Sequence, residues 1–185
     1  KRYWSLVRQH APQVWINASL FFIDKPLFAL VLPLEMVAVY TIMQQIARAL
    51  SSLFIEMGVQ FLMPYAFRTA TRGSRLQVVS AIALVAASAL LGGLMYFVGD
   101  LVITLIASAK YAGIDPLLLA AMTFGVCLSF AVNALELKGF AEFSIGRYMI
   151  AHLMQAAIFL GGGLLVAAKW GLSGIVAALL LGTLV

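Results

Sequence analysis

Apolar runs of about twenty residues, separated by short polar or Gly/Pro stretches, are the feature that most limits how this sequence can fold. Twenty residues of α-helix rise about 30 Å, which matches the hydrocarbon thickness of a bilayer. Of the 185 residues, 64% are apolar and 10% are charged, whereas soluble domains carry about 25% charged residues. The pattern argues against a water-soluble fold and predicts an all-α, polytopic bundle of membrane helices.

About six membrane helices are predicted, the last one truncated, at residues 12–32, 36–67, 76–98, 117–137, 148–168 and 175–185. The run LVITLIAS after Gly99-Asp100 is too short to cross, so it either lies at the interface or extends the third helix. KWGLSG is predicted to turn tightly into the last segment. Because all connections are short, residues 1–185 are interpreted as a single transmembrane domain of a longer protein.

Lysine and arginine counts predict the orientation of these helices. Three such residues lie in 1–10, three in 68–75 and two in 138–147, all on one side, against only Lys110 and Lys169 on the other. The N-terminus is therefore predicted to be cytoplasmic in a multi-pass protein. The net charge of +5 is attributed to this asymmetry and to attraction to anionic membrane lipids. Nucleic-acid binding is not expected, because the loops are too short to form a basic surface.

A polar stripe is predicted along the second helix. At 100° per residue, one face of that helix carries Thr41, Gln45, Arg48, Ser52, Glu56 and Gln60. An arginine at the centre of a membrane helix costs about 2.5 to 3.5 kcal/mol on insertion scales. The stripe is therefore expected to border a wet cavity or a polar partner, with Arg48, Gln45, Ser52 and Gln60 as substrate-binding candidates.

The first helix offers a second polar face, formed by His10, Gln13, Asn17 and Asp24, and Lys25 lies beside Asp24. Its distance from the shared turn makes an Asp24 to Arg48 contact feasible, and Lys25 and Asn17 join the substrate-binding candidates. Asp24 and Glu56 are candidates for ion coupling. The alternatives remain open: Asp24 and Arg48 form a purely structural pair, while Lys25 and Glu56 extend toward the interface.

Other patterns indicate packing rather than chemistry. Small residues at Ala83, Ala87, Ala89 and Gly93 predict close helix contact, and Gly161-Gly162-Gly163 predicts close approach or a bend. The single cysteine, Cys127, gives no disulfide or cysteine-based metal site within this chain. No triad of nucleophile and base and no HExxH pattern occurs, so no enzyme activity, metal or cofactor is expected.

Several stretches together resemble polysaccharide and oligosaccharide-lipid flippases of the multidrug/oligosaccharidyl-lipid/polysaccharide exporter superfamily. FFIDKPLFALVLPLEMVAVYTIMQQIA resembles the start of the second lobe of those transporters, and FLMPYAFRTATRGSR a helix end with its basic cytoplasmic loop. IASAKYAGIDPLLLAAMTF is similar to an outer turn, and KWGLSGIVAALLLGTL to a Gly-x-x-Gly hairpin before a small-residue helix. The chain departs from the family pattern at Ala38-Val39, before the turn tyrosine.

The resemblance implies one lobe of a two-lobe transporter in the bacterial cytoplasmic membrane, with an N-terminal lobe preceding Lys1. It implies alternating access, in which a polyprenyl-diphosphate-linked oligosaccharide crosses through a central cavity while its lipid tail stays in the bilayer. The residues agree chemically with this expectation, because Arg48 and Lys25 are suited to an anionic diphosphate.

Three other functions remain open at this point. A drug or cation exporter of the same superfamily would favour an acidic, aromatic cavity. A membrane-embedded glycan polymerase or ligase would need a larger outer loop than AKYAGIDP or KWGLSG. A scaffold subunit without a substrate would tolerate neutral replacement of Arg48.

Overall fold

The computed structural model of the chain describes residues 22–58, 60, 74–107, 111, 113–135 and 145–184. Regular structure among these residues is helical, with no strand. Residues 22–28 form a short helical segment, and the other elements are α1 (Leu34–Leu50), the π-helix π1 (Ser51–Glu56), α2 (Ser74–Ile106), α3 (Pro116–Leu135), α4 (Ile145–Ala157), the π-helix π2 (Ile158–Gly162) and α5 (Gly163–Thr183). The predicted all-α class is thus confirmed for the described part of the chain.

The chain divides into two compact units. The terminal unit comprises residues 1–37 and 139–185, and the central unit comprises residues 38–138. Two helical stretches among the described residues are long and apolar enough to cross a membrane, Ile82–Ile106 and Ile150–Thr183. By length and composition, these two stretches weakly indicate a membrane protein.

In the central unit, α2 and α3 form an antiparallel pair. A Cβ atom at Gly92 would lie 3.0 Å from Phe124 Cβ, and one at Gly99 would lie 2.5 Å from Leu119 Cδ2. As residue numbers increase along α2, the numbers of the contacting residues in α3 decrease, so the two helices run antiparallel. A cluster of Leu84, Leu91, Cys127 and Ala131 fills the contact at the other end.

The link between α2 and α3 ends in a well-formed helix cap. The Asp115 carboxylate accepts a hydrogen bond from the Leu117 N–H at 2.9 Å, which satisfies one of the donors that the first helical turn leaves unpaired. Pro116 then occupies the first position of α3, where its missing N–H costs nothing. The sequence AKYAGIDP thus contains the predicted turn, and the structure places the helix start at its last residue.

The third helix is longer than the predicted segment, because α2 continues through Gly99-Asp100 to Ile106. Of the two alternatives for LVITLIAS, helix extension is the correct one. Gly99 is accommodated within α2 because the side chain of Leu119 occupies the space that a Cβ would take. The buried face of α2 consists of Leu84, Ser88, Leu91, Gly92, Met95, Gly99 and Ile103. The predicted contact face was wrong at Ala83, Ala89 and Gly93, which are exposed.

In the terminal unit, α5 is broken at Gly171, where φ is 60° and ψ is −137°. A Cβ at Gly174 would lie 2.8 Å from the backbone carbonyl carbon and oxygen of Val166. In a straight helix these residues would be about 12 Å apart along the axis. The chain therefore folds back at Gly171, and the tight turn predicted in KWGLSG is confirmed.

The fold-back continues along both arms, residues 145–170 and 172–183. A Cβ at Gly163 would lie 3.8 Å from Ala178 Cβ, and one at Gly182 would lie 3.1 Å from the Gln155 backbone oxygen. Residues earlier in the first arm pair with residues later in the second arm, as an antiparallel hairpin requires. π2 lies at the first two glycines of the Gly161-Gly162-Gly163 triplet, where the sequence predicted close approach or a bend.

The 22–28 segment packs on the same hairpin through Phe28. Its ring makes an edge-to-face contact with Phe159, with ring centroids 5.8 Å apart and planes at 82°. The same ring lies 3.1 Å from the position of a Cβ at Gly163, so a larger residue at position 163 would displace it. Phe28 is completely buried, and it anchors the helical segment that carries Asp24 and Lys25.

Candidate functional site

The polar stripe lies on the outward side of α1 and π1. Gln45, Ser52 and Gln60 are exposed, while Thr41 and Arg48 are half-buried. The other side of the helix is buried and carries Tyr40, Met43, Gln44, Ile46, Ala47 and Ser51. Burial of the apolar side fixes the rotation of α1, and this rotation turns Gln45 and Ser52 away from the core of the central unit.

The half-buried position of Arg48 suits a binding cation. Its guanidinium has five N–H donors arranged in a fork that matches carboxylate and phosphate oxygens. Thr41 and Gln45 precede it by seven and three residues, and therefore lie on the same side of the helix. The stripe can offer amide and hydroxyl groups beside a permanent positive charge.

The regular projection of the stripe does not hold from Ser51 onward. Ser51–Glu56 is a π-helix, whose i to i+5 hydrogen bonds widen the turn. Residues after position 50 therefore rotate more slowly about the axis than the 100° per residue that the sequence analysis assumed. Ser52 and Gln60 are nevertheless exposed. The side chain of Glu56, an ion-coupling candidate, lies outside the described part of the structure.

Asp24 and Lys25 form an ion pair within the terminal unit. Lys25 Nζ lies 3.3 Å from Asp24 Oδ1, and the Lys25 backbone N–H donates to the same oxygen at 2.7 Å. The Asp24 side chain is 0% exposed and that of Lys25 is 30% exposed. The buried carboxylate thus has a cation beside it, and the positive charge of Lys25 is partly compensated by its own neighbour.

The other predicted contacts of the first helix are not tested by this pairing. The predicted contact between Asp24 and Arg48 joins residues of different units, and it stays a prediction. Asn17, together with His10 and Gln13, lies outside the described residues. Both described cations therefore remain candidates, Lys25 in the terminal unit and Arg48 in the central unit.

The sequence analysis missed a buried polar pair on the opposite side of α1. The Gln44 side-chain N–H donates to the Tyr40 hydroxyl at 2.9 Å, and both side chains are buried. Their i, i+4 spacing is the signal that could have found this pair, because such residues are neighbours on a helix surface. The pair lets the helix bury a glutamine while the adjacent Gln45 stays exposed.

The part of the chain that the structure describes holds no group of three or more His, Cys, Asp or Glu residues placed to bind a metal ion. Comparison with known proteins gives no family: no family model, curated protein or solved structure matches this sequence.

Proposed function

We propose that this chain is part of a polytopic membrane transporter that moves a polyprenyl-diphosphate-linked oligosaccharide across a bacterial cytoplasmic membrane. The observation that carries the proposal is the outward polar face of α1 and π1, with Gln45 and Ser52 exposed beside the half-buried Arg48. A polar face on an otherwise apolar chain needs water or a polar ligand opposite it. An anionic diphosphate is a ligand that an arginine fork binds well.

The surface of α2 supports placing the chain in lipid. Its outward face exposes large apolar side chains, with Phe97 at 83% and Leu105 at 75% exposure. Soluble monomers rarely expose contiguous apolar surface of this extent. The same chain thus presents one face suited to hydrocarbon and another suited to a hydrated, charged headgroup, which are the two environments that a lipid-linked sugar requires.

In the proposed mechanism the polar face lines a cavity between two lobes that opens alternately to each side. Arg48 binds the diphosphate, while Gln45, Ser52 and Gln60 hydrogen-bond the sugar or bound water. Lys25, in the terminal unit, carries a positive charge that Asp24 partly compensates. The lipid tail remains in the bilayer throughout.

Transport by the full-length protein in proteoliposomes tests this proposal. The Arg48→Glu variant should lose transport of a fluorescent polyprenyl-diphosphate oligosaccharide by about 10- to 100-fold, because one charged hydrogen bond contributes about 1.5 to 3 kcal/mol. Lys169→Glu is the matched control, since Lys169 is an exposed cation that stacks on Trp170, 5.9 Å from the ring centroid. Unchanged transport by inserted Arg48→Glu protein would contradict the proposal.

Labelling of introduced cysteines tests the water-lined face directly. In a Cys127→Ala background, cysteines at Gln45 and Ser52 should react with a hydrophilic, membrane-impermeant thiol reagent. Cysteines at Phe97 and Leu101, which are also exposed, should stay unreactive because lipid covers them. Equal labelling of both pairs would argue for a soluble protein, and no labelling at Gln45 and Ser52 would argue for a sealed helix contact.

The same proteoliposomes distinguish the proposed function from its main alternative, a drug or cation exporter. A drug or cation exporter would move a hydrophobic cation and would gain rather than lose from Arg48→Glu, because the substitution adds negative charge to its cavity. Transport of the glycan lipid without transport of such a cation supports the proposed substrate class.

A further inference from the structure

Three consecutive glycines interrupt the first arm of the hairpin, and packing among the described residues explains only the last of them. A Cβ at Gly163 would lie 3.1 Å from the Phe28 ring, whereas a Cβ at Gly161 or Gly162 would meet nothing within 4 Å. Neither Gly161 nor Gly162 has a positive φ. Apart from proline, glycine is the least favourable residue in a helix interior. These two glycines therefore weaken the helix without a steric reason in the part of the chain that the structure describes.

The backbone hydrogen bonds change their spacing at the same place. Ile158–Gly162 is the π-helix π2, whose bonds join residues five apart. The Gly163 N–H then donates to the carbonyls of both Phe159 and Leu160, which precede it by four and three residues. Three hydrogen-bond spacings thus meet within about one turn. A helix that already shares its donors in this way can bend by exchanging one bond for another.

The hairpin is packed differently on the two sides of π2. Toward the fold-back at Gly171, a Cβ at Gly174 would lie 2.8 Å from the Val166 backbone carbonyl, so the two arms are fixed against each other. On the other side, a Cβ at Gly182 would lie 3.1 Å from the Gln155 backbone oxygen of α4. Because Gly182 has no side chain to interlock with α4, this second contact can slide.

We propose that π2 is a hinge at which α4 swings relative to the fold-back at Gly171. Sharp bends in helices occur at π-bulges and at pairs of glycine or serine residues, and both causes coincide here. The hinge lies within Ile150–Thr183, one of the two stretches long and apolar enough to cross a membrane. A swing of α4 carries the buried His152 and the half-buried Gln155 with it, and so changes what these polar side chains contact.

The hinge goes beyond the proposed transport and does not depend on it. Its residues belong to the terminal unit, whereas Arg48 and the polar face around it belong to the central unit. A measurement of the hinge needs no substrate. Failure of the hinge and failure of the transport proposal are therefore separate results.

Distances between paired spin labels in the full-length protein, reconstituted in nanodiscs, test the hinge by electron paramagnetic resonance. Labels are attached to introduced cysteines in a Cys127→Ala background. The pair at Ile150 and Leu181 spans π2, and the pair at Leu165 and Leu181 lies on the fold-back side; all three positions are exposed. The Ile150 to Leu181 distance should show two populations, whereas the Leu165 to Leu181 distance should show one.

The double variant Gly161→Ala/Gly162→Ala is the decisive change, because the two new methyl groups fit in open space and favour a regular helix. It should remove the second population of the Ile150 to Leu181 distance without lowering the apparent Tm. Gly93→Ala is the matched control. A Cβ at Gly93 also meets nothing within 4 Å, but Gly93 lies within the α-helix α2, so both distance distributions should stay unchanged.

Two results would overturn the hinge. The first is a single Ile150 to Leu181 population in the unmodified protein, which is decisive even if the double variant fails to fold. The second is an equal distribution in the unmodified protein and the double variant. If the double variant also lost Tm in that case, the open glycines would instead be a surface against which another helix packs.

Discussion

The two antiparallel helix pairs reverse direction in different ways. In the central unit, α2 and α3 are joined by residues 107–115, where Gly113 has φ 97° and a Cβ would meet nothing within 4 Å. In the terminal unit, the fold-back uses Gly171 alone. The difference shows that a one-residue turn does not allow the two arms to shift, because the backbone of Val166 lies directly against Gly174. A longer link lets the two helices adjust.

The largest loss is expected for Gly171→Ala. A φ of 60° with ψ of −137° is a conformation that essentially only glycine adopts, and forcing another residue into it costs up to about 3 kcal/mol. The apparent Tm of the purified full-length protein measures this loss. Gly161→Ala is the control, because a Cβ there meets nothing within 4 Å. An unchanged Tm in Gly171→Ala would contradict the fold-back.

Gly174→Ala should cost somewhat less, about 2 kcal/mol, as is typical of overpacking. The new methyl group would meet the Val166 backbone carbonyl at 2.8 Å, and that backbone cannot move without separating the arms. Gly182→Ala, with the Gln155 oxygen at 3.1 Å, should be milder in the same Tm measurement. If Gly182→Ala proved the more damaging of the two, the arms would pack differently from the contacts described.

In the central unit, Gly92→Ala should cost about 1 kcal/mol. A Cβ there would lie 3.0 Å from both the Ala120 backbone oxygen and Phe124 Cβ, but the longer link allows α3 to shift slightly. The adjacent Gly93 is the matched control, since a Cβ there meets nothing within 4 Å. A Tm loss as large as that of Gly174→Ala would mean that link length does not govern tolerance.

The smallest effect is expected for Gly99→Ala, less than about 0.5 kcal/mol, although its new Cβ would lie only 2.5 Å from a neighbour. That neighbour is Leu119 Cδ2, the far end of a flexible side chain, which can change rotamer. Distances alone would rank this variant as the worst of the series. A Tm loss above that of Gly92→Ala would show that Leu119 is locked in place.

Among the described residues, the sequence predicted helices and both turns but not the contacts between helices. The length of each apolar run predicts that a helix is present. The glycine and proline residues in KWGLSG and AKYAGIDP mark the two places where the chain reverses direction. Which face of α2 packs depends on its partner. The small residues Ala83, Ala89 and Gly93 are exposed, while the packed face mixes Leu84 and Met95 with the two glycines that let α3 approach.

The candidate site was predictable in composition and less so in geometry. Counting residues gave the polar face of α1, and the burial of its opposite side agrees with that rotation. Neither the π-helix nor the Asp24 to Lys25 pair follows from the pattern. Projection at a fixed angle cannot show a widened turn, and adjacent residues on a helix do not face each other, so a pair between sequence neighbours was not considered.

Because the reversal is confined to Gly171, it also fixes which face of the second arm packs against the first arm. Adding or removing one residue between Val166 and Gly174 would rotate the second arm by about 100°. The row formed by Gly174, Ala178 and Gly182, which is buried, would then leave the seam between the arms. Length changes in this protein should therefore be tolerated between α2 and α3, and the fold-back should keep a constant number of residues wherever the hairpin is retained.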